Sequence, residues 1–168
     1  MRRYNGLLYV AVCAVGLYLL MSVGCAKKVD DGKIPVTTSS EEARREFLAG
    51  RDMAENLSLT NSLEHFDKAI ALDPNFALAH LNRANSSATA KEFFAHLKMA
   101  VTTADKVSEG ERLLILANEA GANANTQKQQ EYNKAITHYK KATELAPNYS
   151  PVYNILGYAF RQVEDYPE

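Results

Sequence analysis

Apolar residues recur along most of this chain at the three- and four-residue spacing that places side chains on one face of a helix. Leu63, Phe66 and Ile70 show this spacing near the start of the folded part, and Ala135 and Tyr139 show it again near the end. The pattern predicts an all-α chain without a sheet. Helices are expected over residues 42–56, 62–72, 77–89, 91–106, 109–121, 127–145 and 151–163.

The first 25 residues have a different pattern. Arg2 and Arg3 precede an uncharged and mostly apolar run over residues 6–24. A short basic start followed by an apolar run is typical of an export signal, which does not belong to the fold. Because roughly 20 apolar residues can span a bilayer, an uncleaved transmembrane anchor is an alternative. Ordinary cleavage, which gives a soluble exported protein, is a third.

The end of this run, Ser22-Val23-Gly24-Cys25, resembles the lipobox of bacterial lipoprotein precursors. In that family, small residues precede a cysteine that receives a diacylglycerol through its sulfur and becomes the mature N-terminus. The resemblance implies lipid attachment at Cys25 and a lipid-anchored protein of the bacterial cell envelope. It departs from the family at Ser22, where an aliphatic residue is usual. Because Ala26 and not Asp follows the cysteine, the expected destination is the outer membrane of a cell that has two membranes.

Polar residues dominate the segment 26–40, which reads AKKVDDGKIPVTTSS. This composition offers little to bury, so the segment is predicted to be a flexible tether between the anchor and the folded domain. Ser39 or Ser40, followed by Glu41 and Glu42, marks the start of the first helix, because acidic residues are favoured in a first turn. The folded domain is therefore expected over residues 41–168.

The stretch 135–160 has a specific order of small and large residues. Ala135 is followed by Tyr139, Ala142 and Pro147, and then by Gly157 ten residues after the proline. The tetratricopeptide repeat (TPR) is a helix–turn–helix of about 34 residues with the pattern W-x2-L-G-x2-Y, then A-x3-F, then P. The stretch resembles the second helix of one such repeat, its closing proline and the first helix of the next repeat.

The same order can be followed through the whole domain. Gly50 and Pro74 lie 24 residues apart, the interval that the repeat requires between its glycine and its proline. Ala84 lies ten residues after Pro74, as Gly157 does after Pro147, and takes the small-residue position of a more degenerate second unit. The units cover residues 41–76, 77–107, 108–147 and 148–168.

Two features of these units stay open. Pro74 and Pro147 are 73 residues apart, which exceeds two periods by five, and the excess is placed near residues 107–110 or 121–126. The fourth unit lacks a second helix, so the sequence is interpreted as a fragment of a longer array; the alternative is that the last helix is its own poor cap. Gly157 is expected to pack closely against the apolar face of the preceding helix.

The TPR resemblance implies a fold and a broad function. The fold is a right-handed superhelix of antiparallel helix pairs, a TPR-like α-solenoid of about three and a half repeats whose first helices line a concave groove. In the TPR family this groove takes a peptide or a partner protein, and Asn and Arg side chains there can bind a peptide backbone or a carboxylate. The Lys/Asn/Arg set of the carboxylate-clamp TPRs is not reproduced, so that ligand is not implied. The expected groove residues are Arg44, Arg51, Asn82, Asn85, Asn154, Tyr158 and Arg161.

Composition and charge argue against several other functions. The net charge is −1 and no Lys/Arg block is long enough to follow phosphates, which argues against a nucleic-acid partner. Cys13 and Cys25 both lie in the N-terminal apolar region, so the domain has neither a disulfide nor a cysteine metal site. The four histidines lack metal-ligand spacing and are expected on half-exposed helix faces. Because HExxH, GxSxG and GxxxxGK[ST] motifs are also missing, no catalytic residue, metal or cofactor is expected.

Two functions remain. The first is a membrane-tethered scaffold that recruits a protein or peptide partner at the cell envelope. The second is an accessory domain of an envelope enzyme or a glycan-handling system, in which the tyrosines between Tyr132 and Tyr158 bind a non-protein ligand. Packing in the core of the repeats is the simpler explanation of those tyrosines.

Overall fold

The computed structural model describes residues 33–123 and 128–164, apart from the side chains of residues 128, 129, 158 and 162–164. Within these ranges the chain forms seven α-helices and no strand. They are α1 (Glu41–Glu55), α2 (Leu59–Leu72), α3 (Ala77–Asn85), α4 (Ala90–Thr103), α5 (Glu109–Asn123), α6 (Lys128–Leu145) and α7 (Ser150–Glu164), and a 3-10 turn at Ala104–Lys106 follows α4.

Consecutive helices pack against each other in pairs. The most extensive contacts join α1 to α2, α3 to α4 and α5 to α6, and α7 then packs on α6. Smaller contacts between α2 and α3 and between α4 and α5 join neighbouring pairs. This arrangement confirms the predicted all-α solenoid of helix pairs.

The N-terminal predictions concern residues that the structure does not describe. The export signal, the lipid attachment at Cys25 and the tether up to residue 32 lie outside the described residues and stay predictions. Among the helices that are described, none has the length and apolar character needed to cross a bilayer.

The end of α3 differs most from the helix ends that the sequence predicts. α3 stops at Asn85 and not at residue 89, because side-chain hydroxyls form the hydrogen bonds to backbone groups at this point. The hydroxyl of Ser87 donates to the carbonyl of Arg83, which competes with continuation of the helix. Thr89 then caps α4 by accepting a hydrogen bond from the amide of Glu92, so the two helices are separated by a short capped turn.

The first repeat has a core of closely packed aromatic rings. Phe47, Phe66 and Phe76 are almost fully buried, and the ring centroid of Phe47 lies 6.0 Å from that of Phe66 and 5.0 Å from that of Phe76. Gly50 makes this packing possible. A Cβ atom at Gly50 would lie 2.8 Å from Cε1 of Phe66 and 3.0 Å from Cβ of His65, so only glycine lets α1 and α2 approach this closely.

Gly157, which has the same position in the fourth repeat, lacks such a contact. Among the described residues, a Cβ atom at Gly157 would meet nothing within 4 Å. The prediction that Gly157 packs closely against the preceding helix is therefore wrong. The physical reason is the direction of the contact: Gly50 on α1 faces α2, the helix that follows it. Among the described residues, no helix follows α7.

The five-residue excess of the third repeat lies after its first helix. Ser40 and Ser108, which precede α1 and α5, are 68 residues apart, and this equals two periods of about 34 residues. α1 and α5 both have 15 residues, whereas α6 has 18 residues and α2 has 14. Of the two positions expected for the five extra residues, the helix lengths therefore favour residues 121–126, together with the longer start of α6, over residues 107–110.

Residues 33–40 form a strap that packs against the domain. Ile34 and Val36 are buried, and Ile34 lies so close to Gly110 of α5 that a Cβ atom there would be 3.3 Å from its Cγ2. The strap thus differs from the flexible tether that the sequence predicts for residues 26–40. The overall polar composition of that segment conceals two apolar side chains, which are enough to bring the strap onto the core.

A buried carboxylate holds this strap in place. Glu111 is fully buried and accepts hydrogen bonds from the backbone amides and the hydroxyls of Thr37 and Ser108. The hydroxyl of Ser108 also accepts from the amide of Glu111, so these two residues form a capping box at the start of α5. Thr38 Oγ1 donates to Asp73 Oδ2 at 2.6 Å, which ties the strap to the end of α2 as well.

Candidate functional site

A groove of about 760 Å³ lies between the end of α1, the end of α3 and the start of α7. These three helix ends are far apart in sequence, so the groove exists only because the repeats stack. Four of the seven expected groove residues line it, namely Arg51, Asn82, Asn85 and Asn154. The structure therefore brings these four residues to one surface.

Three asparagines give the groove its hydrogen-bonding capacity. Asn85 and Asn154 are exposed, and their amides offer both donors and an acceptor. Asn82 is partly buried, and its Nδ2 donates to the carbonyl of Leu78 at 2.9 Å, which holds the side chain along α3. The first two amides are therefore the ones best placed to bond to a molecule in the groove.

Arg51 is almost buried in the wall of the groove, with 8% of its surface exposed. Its guanidinium carbon lies 5.9 Å from the centroid of the Phe47 ring, and its Nε lies 3.8 Å from Oε1 of Glu55. Nε has no hydrogen-bond partner among the described residues. The ring and the carboxylate hold the cation at the groove, so Arg51 also contributes to the packing of α1.

The other three expected groove residues lie elsewhere or are not described. Arg44 lies at the start of α1, outside the residues that line the groove, and its Nε is 3.4 Å from Oε1 of Glu41. Arg161 is exposed near the end of α7, also away from the groove lining. The side chain of Tyr158 lies outside the described part of the chain.

Sequence reasoning did not identify Leu57 as part of the groove. Leu57 is 88% exposed and has a φ of 60°, a left-handed conformation that glycine adopts more easily. The amides of Leu57 and Ser58 bond to the carbonyls of Ala54 and Met53, which is the pattern of a Schellman motif at the end of α1. Leu57 therefore places an exposed apolar side chain at the groove in a backbone conformation that is unfavourable in free energy. Sequence periodicity cannot reveal a residue of this kind.

The second repeat contains a histidine pair that differs from the expected half-exposed positions. His80 is buried, its Nδ1 lies 3.1 Å from Nδ1 of His96, and its Nε2 lies 3.0 Å from the carbonyl oxygen of Pro74. Because the carbonyl can only accept, neutral His80 carries its proton on Nε2 and accepts at Nδ1 from His96. Burial, the nearby Arg83 guanidinium and His80 lower the pKa of His96. In residues 33–123 and 128–164, no three His, Cys, Asp or Glu side chains come together as a metal site.

Comparison with known proteins finds a family match in the C-terminal part of the chain. The family model described as TPR repeat matches residues 128–163, which form α6 and nearly all of α7. No curated protein matches the chain. The matched segment joins the second helix of one helix pair to the first helix of the next, as the spacing of Ala135, Pro147 and Gly157 predicts. Residues 128–163 are therefore similar to the TPR repeat, and the described helices together form a TPR-like all-α solenoid.

Proposed function

We propose that this protein is a membrane-tethered scaffold that binds a peptide or a partner protein in the groove between α1, α3 and α7. The observation that carries the proposal is that the exposed amides of Asn85 and Asn154 line one groove from distant parts of the sequence. Amides supply the donors and acceptor that a peptide backbone requires, whatever its side chains. The TPR repeat model matches residues 128–163, and TPR repeats generally mediate binding to protein partners. The match therefore supports a protein or peptide as the partner.

The charges of the groove limit the chemistry of the partner. Arg51 contributes one positive charge, but Asp52 and Glu55 line the same groove and contribute two negative charges. A strongly acidic peptide or a nucleic acid would be repelled by these carboxylates. The proposed partner is therefore a neutral or mildly basic polypeptide, and its binding involves no catalytic residue, metal or cofactor of this chain.

The proposed tether is the N-terminal segment. Arg2, Arg3 and the apolar run that ends at Cys25 support export and lipid attachment, which would hold the domain at the bacterial cell envelope, in the outer membrane where there are two membranes. Replacing Cys25 by Ala is expected to leave a precursor that is not processed. The mass of the purified protein checks this, and a variant that is processed normally would point to ordinary signal cleavage.

Photo-crosslinking in cells tests the groove. A photoreactive amino acid at position 85 should capture a partner polypeptide, whereas the same amino acid at position 68 on the exposed side of α2 should not. The Asn85→Ala and Asn154→Ala variants should each weaken binding of the captured partner by about 3- to 10-fold, as expected for loss of one hydrogen bond. Lys68→Ala is the matched control, because its side chain is exposed and forms an ion pair with Glu64 of its own helix. Capture at position 68 and not at position 85 would place the partner on the outer face.

A further inference from the structure

A second pocket lies beside the groove, between the third helix pair and its neighbours. It has a volume of about 320 Å³, is open to solvent on one side and is lined by residues of α4, α5, α6 and α7. Pockets of roughly 300–1,000 Å³ with apolar and aromatic walls and a few polar groups are typical of ligand sites. This pocket has such walls: its aromatic side chains are Phe93, Phe94, Tyr132 and Tyr139, and none of the described residues that line it is charged.

A comparison of repeats explains why this pocket is open. In the first repeat, Phe66 of α2 fills the space at Gly50 of α1. With the shifts of 68 residues for the first helix and 73 for the second, the corresponding residues of the third repeat are Asn118 and Tyr139. Both line the pocket. Position 118 thus carries a side chain where the first repeat has glycine, and its Nδ2 donates to the carbonyl of Leu114 on its own helix.

The inserted residues of the third repeat enlarge the same space. Tyr132 belongs to the longer start of α6, and Gly121 and Ala122 belong to the end of α5 that precedes it. A Cβ atom at Gly121 would meet no described atom within 4 Å, so among the described residues no side chain fills this side of the pocket. The third repeat therefore has a pocket beside the longer start of α6.

The pocket and the groove have a lining residue of α7 in common. Ile155 lines both, Asn154 next to it lines the groove, and Ala159 one turn further along the helix lines the pocket. A peptide that bonds to Asn154 through its backbone would thus have the mouth of an apolar pocket beside it. Buried apolar pockets next to polar contacts are where the few residues that dominate binding usually insert.

We propose that this pocket, called the anchor pocket below, receives one bulky uncharged side chain of the polypeptide that lies in the groove. The inference rests on the proposed function and adds a sequence requirement to it. The side chain is aromatic or long and aliphatic, since four aromatic rings of the wall can pack against it. A charged side chain is disfavoured, because no opposite charge among the described residues lines the pocket to offset its burial. The amides of the groove then hold the backbone, and the anchor pocket selects the sequence.

Peptide selection on the full chain in lipid nanodiscs tests this inference. A displayed library of random peptides is selected on the immobilised protein, and the dissociation constants of the enriched peptides are measured. The enriched peptides should share one Phe, Tyr, Trp, Leu or Met, and its replacement by Ala should weaken binding by about 30-fold, as for a residue that dominates an interface. Enriched peptides that tolerate this replacement would overturn the inference.

A pair of glycine variants supplies the matched control. Gly121→Leu places a side chain into the anchor pocket without a clash of its Cβ atom, so it should weaken the peptides about as much as removing their anchor residue does. Gly157→Leu makes the same change in α7, where a Cβ atom also meets nothing within 4 Å but the glycine does not line the pocket. It should bind the peptides as wild type does. Circular dichroism establishes that both variants are folded.

The outcomes separate this inference from the proposed function. Peptides that are weakened by Asn85→Ala but not by Gly121→Leu would support the groove and overturn the anchor pocket. If no peptide is enriched, the groove proposal fails. If, in that case, the neutral fluorescent probe N-phenyl-1-naphthylamine binds wild type and not Gly121→Leu, the pocket takes a free small molecule and the anchor inference is also overturned.

Discussion

α1 and α7 hold the same place in the repeat, yet they are packed very differently. In α1, Gly50 lies against Phe66 of the following helix. In α7, Gly157 meets no described atom beyond its own helix, and Tyr153 and Phe160 keep 46% and 38% of their surfaces exposed. The difference shows that the small residue in the first helix of a repeat allows the helix that follows it to approach closely. Stability should therefore be concentrated in the N-terminal repeats, and the variants below test that distribution.

The largest effect is expected at Glu111, which fastens the strap, and with it the N-terminal end of the domain, to the start of α5. Glu111→Ala leaves the amides and hydroxyls of Thr37 and Ser108 without their shared acceptor. Since hydrogen bonds to charged groups are individually strong, we expect the free energy of unfolding to fall by about 3 kcal/mol. Chemical denaturation measures this, and hydrogen exchange should show faster exchange of residues 33–40.

Thr37→Val provides the control for that variant. It removes the hydroxyl of Thr37 but keeps the backbone amide, which lies 2.8 Å from Oε1 of Glu111. The expected loss is about 1 kcal/mol, because only one of the hydrogen bonds is lost. If Glu111→Ala is no less stable than Thr37→Val, the carboxylate does not hold the strap on α5.

A pair of valine substitutions tests the comparison directly. Gly50→Val forces a Cβ atom to within 2.8 Å of Phe66 Cε1, and overpacking of this kind costs about 1–3 kcal/mol. Gly157→Val meets no such obstacle, so its free energy of unfolding should stay within about 0.5 kcal/mol of wild type, as for a surface substitution. Thermal melting of the two variants side by side checks this. Equal losses in both would mean that α7 is packed as tightly as α1.

The helix pairs could be predicted from the sequence because their signals are local. The intervals from Gly50 to Pro74 and from Pro147 to Gly157 place the turns, and the apolar spacing places the helices between them. The direction of the glycine contact is not local, since it depends on which neighbouring helix approaches. The strap was also beyond prediction, because its acceptor Glu111 lies 74 residues away from Thr37.

The groove was predictable in part for a related reason. Counting along each first helix selected four residues that line the groove, since helical periodicity fixes the face on which a residue lies; they are Arg51, Asn82, Asn85 and Asn154, and their role in binding stays a prediction. It did not exclude Arg44, because distance along the helix axis depends on how strongly the repeats curve. It also missed Leu57, whose left-handed conformation ends α1 and places an apolar side chain at the groove.

The smallest expected effect is that of pH on the free energy of unfolding. One histidine in each of the two regions contributes to it. Burial and then Arg83 and His80 lower the pKa of His96 in α4, whereas burial and then Lys141 and Arg112 lower the pKa of His138 in α6. In the unfolded chain both histidines titrate near pH 6.5, so below that pH the unfolded state binds more protons than the folded state.

Stability should therefore be complete above about pH 6.5 and should fall as the pH drops from there through the lower pKa values of the folded protein. Denaturation curves from about pH 7.5 to about pH 5.5 measure this slope. His96→Gln and His138→Gln should each flatten it, because each removes one proton that only the unfolded state binds. If His138→Gln alone flattened the curve, the acid sensitivity would belong to the C-terminal helices, and the packed N-terminal repeats would tolerate His96 in its charged form.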